Sequence, residues 1–135
     1  MYAQRGAAQY RAVRSHGLVA EASPARLVQI MFEQILAQLA TAQGCMGRID
    51  NNMPLNEVVS KGKSLGMAIR LIDQLNSTLD MERGQKIAEN LRSLYVYMLG
   101  RLTLANVTND ARIVAEISGL VQKIKIGWDQ VVETR

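Results

Sequence analysis

The stretch Gly84–Asn106, GQKIAENLRSLYVYMLGRLTLAN, decides the fold. Ile87, Leu91, Leu94, Met98, Leu102 and Ala105 recur at steps of three and four residues, the spacing of one face of an α-helix. A second row, Tyr95, Leu99 and Leu102, runs beside the first. Tyr97 and Leu104 lie on a further face. A solvated helix needs one apolar stripe, and this one is apolar nearly all round its C-terminal half. It is either central in its bundle or keeps one side for a partner.

The neighbouring segments supply the rest of a bundle. Upstream, the short link Leu79–Gly84 forces the preceding helix to run antiparallel beside it. That helix is expected over 55–79, with Val58, Leu65, Ala68 or Ile69, Ile72, Leu75 and Leu79 on its main stripe and Met67 and Leu71 adjacent. Gly62 and Gly66, four apart, leave room for another helix to approach. Asp50–Pro54 reads as a turn. Before it, Ser23-Pro24 is a helix start: serine caps free amides and proline loses nothing at the first helical position. The helix from 24 to about 50 carries Leu27, Met31, Ile35, Leu39, Ala42, Met46 and Ile49, widened by Val28, Phe32 and Leu36. Downstream, Val107–Asp110 makes a turn, and a last helix over 110–133 carries Ile113, Ile117, Leu120, Ile124, Trp128 and Val131. Helices at 24–50, 55–79, 83–106 and 110–133 with short links give an all-α, up-down antiparallel four-helix bundle. Residues 1–22 read as an N-terminal arm, with a short extra helix around Gln4–Val13.

Composition bounds the function. A chain of 135 residues, 48% hydrophobic, is one domain with an ample aliphatic core. The single cysteine, Cys45, has no internal partner for a disulfide. No apolar run approaches the ~18 residues of a membrane span. The net charge of +4 permits acidic partners, but the basic residues are dispersed and no aromatic-basic interleaving marks a nucleic-acid surface. Catalytic chemistry finds no support. The one histidine, His16, stands on the arm, and metal-ligand clusters, Glu-x-x-His pairs and phosphate-cradling glycine loops are all missing from the pattern. Neither an enzyme nor a cofactor is expected.

What remains is apolar recognition. In a four-helix bundle every helix is peripheral. The doubly apolar second and third helices therefore leave an outer groove. The candidate groove residues are Ile69, Ile72, Leu75, Leu91, Leu94, Tyr95 and Met98, with Met67, Leu71 and Tyr97 at its rim. Three occupants are open on pattern alone: a partner's amphipathic segment, a second copy of the chain, or the arm.

Tyr10, Ser23-Pro24 with Leu27, Leu79-Asp80, Gly84, Ile87-Ala88, Asn90-Leu91, Leu94-Tyr95, Tyr97-Met98, Leu102, Ala105-Asn106 and Trp128 occur in this order along the chain. In these residues it resembles the flagellar secretion chaperone FliS family, most densely in IAENLRSLYVYM and LTLAN. Val96 stands where that family usually has an aspartate, and Lys86 where it has an acid. The resemblance implies a cytoplasmic, non-enzymatic chaperone whose client is the C-terminal segment of flagellin. It also implies delivery to the export gate protein FlhA, and an arm that covers the groove until cargo displaces it. By the same resemblance Tyr10 is the arm's cargo-linked tyrosine and Ala7 holds the companion position.

Overall fold

The computed structural model describes residues 23–47 and 53–133. The arm, with Ala7, Tyr10 and His16, lies outside them. Four helices follow one another: α1 Pro24–Met46, α2 Leu55–Ser77, α3 Met81–Thr108 and α4 Ala111–Glu133. Each packs against its two neighbours in a closed ring, α1–α2–α3–α4–α1, while diagonal helices keep their backbones apart. That is the expected up-down-up-down bundle, with no strand among the described residues.

Local chemistry sets the ends of the helices. The Ser23 hydroxyl accepts the Arg26 amide at 3.2 Å, with Pro24 in the first turn. Gly47 caps α1, so the expected continuation towards residue 50 falls largely outside the described residues. Asp80 caps α3 by accepting the Arg83 amide at 3.0 Å. Asn109 ends α3 in the left-handed region, φ 53, and Asp110 opens α4 by accepting the Arg112 amide. Asparagine takes that conformation at lower cost than most residues.

One joint departs from a regular helix. Gln85 has φ 46 and ψ −119, breaking α3 after its first turn. L-residues rarely adopt this region. Gly84 is required beside it, because a Cβ there would sit 2.7 Å from the Ala88 Cβ.

The core lies along the bundle axis. Phe32, Met31, Ile35 and Leu39 of α1 meet Leu65 and Ile72 of α2, Met98 and Leu102 of α3, and Val114, Ile117 and Val121 of α4. Truncating one such side chain to alanine costs roughly 2–5 kcal/mol. Two polar ties close the ring where α1 begins and α4 ends, and a pair within α4 supports one of them. Trp128 Nε1 donates to the Ala25 carbonyl, Gln29 Nε2 donates to Asp129 Oδ1, and Lys125 pairs with Asp129. At the opposite end the buried Lys61 Nζ donates to the Asn106 carbonyl and to Asn109 Oδ1. This fastens the start of α2 to the end of α3, where unpaired carbonyls favour a cation.

Candidate binding surface

The rotation of α3 about its axis is read from its ties. On one flank, Tyr97 and Arg101 reach Glu116 of α4. The phenol donates to Glu116 Oε2 at 2.6 Å and Arg101 Nε lies 3.4 Å from Oε1. Leu94 precedes this row by three residues, so it too faces the α4 seam. On the other flank Arg92 lines a cleft with Asp73 and Asn76 of α2. Val96, Leu99, Thr103 and Val107 follow Arg92 at steps of four, three, four and four, forming the row beside α2.

The seven groove candidates separate on this frame. Ile72, Leu75, Tyr95 and Met98 point inward and are buried in the core. Ile69, Leu91 and Leu94 are half-buried and pack on the core from outside. They do not form one groove: Ile69 stands on the α2–α3 seam and Leu94 on the α3–α4 seam. Of the rim candidates, Leu71 is buried, Met67 is half-buried, and Tyr97 is exposed.

The most exposed apolar side chains of this region are others. Ile87 is 72% exposed, Val96 55% and Val107 80% on α3, and Leu104, two helical turns after Tyr97, is exposed on the side of α4. On α2, Leu55, Val58 and Val59 are exposed near the end that meets Val107. Val96 and Val107 belong to none of the stripes read from sequence. Their eleven-residue separation, close to three helical turns, is the signal that places them on one side. Gly62 and Gly66 also read differently in three dimensions. A Cβ at Gly62 meets nothing within 4 Å and one at Gly66 meets only the Arg70 side chain. No helix of the bundle approaches them. They leave the α2 side of the seam shallow and bare.

Several charged groups are tied into structural pairs. Lys125, then Gln29, holds the Asp129 carboxyl below its usual range. Arg112 does the same for Asp110. The bond to Glu116 raises Tyr97, against the opposing Arg101. Burial pushes Tyr95 up to about 12. Each shift has its cause in a helix joint, a seam or the core. Among the described residues no cluster of His, Cys, Asp or Glu is placed to hold a metal ion, and no helix is long and apolar enough to cross a membrane.

The described residues thus form an all-α four-helix bundle that keeps apolar side chains exposed on α3. The chain belongs to the FliS family: residues 6–135 match the family described as flagellar protein FliS. It is 39% identical over 131 residues to the flagellar secretion chaperone FliSB of Pseudomonas aeruginosa, spanning 97% of this chain and 98% of that protein. It is 37% identical over 132 residues to the flagellar secretion chaperone FliS of Salmonella typhimurium, spanning 97% of this chain and 93% of that one. Identity to the FliS of Escherichia coli is 35% over 131 residues, 96% of this chain and 91% of that protein. By these names the family is one of chaperones, not of enzymes.

Proposed function

We propose that this protein is a cytosolic export chaperone that holds the C-terminal segment of flagellin and so prevents premature polymerisation. The single observation that carries the reading is the exposure of apolar side chains on both flanks of α3, with Val96 and Val107 towards α2 and Ile87 and Leu94 towards α4. A segment that wraps α3 reaches both flanks, whereas a single straight helix reaches one. Ile69, Leu91 and Leu94 offer it partly exposed surface. Ile72, Leu75, Tyr95 and Met98 form the floor beneath, and Ala7 and Tyr10 act from the arm. The arm covers this surface in the free protein and yields it to cargo. Hand-over then takes place at the export gate through FlhA, a step that rests on family likeness.

The energetics favour such a complex. Ordering a disordered client costs about 2–5 kcal/mol. Covering on the order of 400 Å² of apolar surface contributes about 10 kcal/mol. Displacing the arm lowers the net affinity, because the surface must first be vacated. The complex is therefore stable yet releasable without nucleotide chemistry.

The test is calorimetric titration of the full chain with monomeric flagellin from the same bacterium, and with flagellin lacking its C-terminal segment. Saturable binding to the intact protein alone is the expected result. Equal binding to both forms, or to neither, overturns the reading. A stable dimer in sedimentation with no flagellin binding would assign the same surface to self-association.

A further inference from the structure

Along the α2–α3 side of the bundle runs a strip bounded by two antiparallel rows. On α3 it is the row of Val96, Leu99, Thr103 and Val107. On α2, Val59, Lys63, Gly66 and Arg70 follow at steps of four, three and four residues, which places them on one face. The bonds from Lys61 to Asn106 and Asn109 set the register, bringing Val59 near Val107 and Arg70 near Val96. Each row covers about 16 Å, three turns of a helix. The floor between them is low, because Gly62 and Gly66 carry no side chain. Val58, Val59, Val96 and Val107 are exposed along it.

The charge on this strip has one sign. No acid occurs between residues 58 and 72 or between 90 and 109. Glu57, at one end, has its Oε2 buried, and Asp73 stands past the other end. Lys63 and Arg70 are exposed and take part in none of the ion pairs among the described residues. The Arg70 guanidinium lies over Gly66, 3.7 Å from where a Cβ would stand, so the cation overhangs the floor. Lys63 and Arg70 are seven residues apart. That is two helical turns, the interval at which the flank positions of a docked amphipathic helix recur. A second copy of this face would bring cation against cation. An anionic bilayer is met by aromatic anchors and a nucleic acid by stacking aromatics, and the strip offers neither.

We propose that the strip docks an amphipathic helix of the client, about three turns long, whose apolar stripe covers Val96 and Val107 and whose acidic flank pairs with Lys63 and Arg70. The apolar contact supplies affinity, and the paired charges fix direction and register. This deepens the flagellin reading and rests on it for the identity of the client, though not for the chemistry of the strip.

Two measurements on the full chain decide it. In the first, the parent protein and the double variant Lys63→Glu/Arg70→Glu are titrated with two stapled amphipathic peptides of about 14 residues. The peptides share a leucine stripe and differ only in their flank, glutamate in one and lysine in the other. The parent should bind the glutamate peptide roughly tenfold more tightly, and the variant should reverse that order. Both side chains are exposed, so the melting temperature should not move. No preference in the parent, or an order unchanged in the variant, overturns the proposal. Uptake of the parent by phosphatidylglycerol vesicles with neither peptide bound also overturns it. In the second, both proteins are titrated with monomeric flagellin at low and high salt. The parent should bind roughly tenfold more tightly than the variant at low salt, and the gap should close as salt screens the pairs. Equal affinity at low salt overturns the assignment of the strip to the client, even where the peptides reverse. If the parent binds no flagellin at all, the functional reading has failed, and the peptide pair still decides the chemistry of the strip.

Discussion

Trp128 Nε1 donates to the Ala25 carbonyl oxygen at 2.9 Å across a sequence separation of 103 residues, joining the last helix to the first turn of the first. The half-buried indole packs on the core and its N–H meets a polar partner, so neither end of the ring is left unsatisfied. Trp128→Phe keeps the ring and loses the bond. It should destabilise the bundle by about 1–2 kcal/mol, read as a drop of roughly 3–6 °C in the melting temperature by circular dichroism.

At the other end of the bundle, Lys61→Met keeps the aliphatic stem of a buried lysine and deletes its ammonium. The Asn106 carbonyl and Asn109 Oδ1 then lose their 3.1 and 3.3 Å bonds. The expected cost is about 1–3 kcal/mol, seen as a lower urea midpoint with an unchanged slope. A midpoint equal to that of the parent protein would show that the tie contributes nothing.

The Tyr95 phenol has its pKa raised by burial to about 12. The neutral form is the one the fold favours, so this contribution is fully present below the unfolded value near pH 10. It is lost as pH rises through about 12. Its size is on the order of 2–3 kcal/mol. Spectrophotometric titration should show a tyrosine that ionises only as the protein unfolds in alkali. Tyr95→Phe should remove that late step and flatten the fall in stability between about pH 10 and 12.

The joint at the head of α3 predicts opposite signs at adjacent positions. Gln85→Gly relieves the positive φ of 46 and should raise stability by about 1 kcal/mol. Gly84→Ala brings a methyl against Ala88, a contact of 2.7 Å, and should lower it by roughly 1–3 kcal/mol. Paired thermal melts of the two variants check this.

Ile87→Ser and Val107→Ser alter side chains that are 72% and 80% exposed. Stability should change by no more than about 0.5 kcal/mol. Flagellin affinity should fall several-fold in each, and more in the double variant, if cargo covers both flanks of α3. An affinity unmoved by either substitution would place the client elsewhere on the bundle.

Much of the architecture was legible in the chain. Ser23-Pro24, Asp80 and the Asn109-Asp110 pair act through hydrogen bonds to backbone groups within a few residues, so their roles are local. The heptad-like stripes of α1 and α4 and the short links required antiparallel neighbours. The candidate surface was harder to read. Ile72, Leu75 and Met98 share stripes with Ile69, Leu91 and Leu94, yet only the second group keeps surface exposed. Val96 and Val107 sit outside every stripe and emerge as exposed apolar groups.

The amino-acid order by itself determined the helices, their caps, their antiparallel sequence and the family, because periodicity and capping are properties of neighbours along the chain. Only the tertiary structure decided which apolar groups face inward, and which flank of α3 meets α2 or α4. It also decided that Gly62 looks onto open space and that Asn76 is left with an unpaired oxygen. The physical reason is rotational. A helix with apolar groups on most of its circumference can be turned about its axis at little cost in its own pattern. Its final orientation is set by how all four helices fill the shared interior.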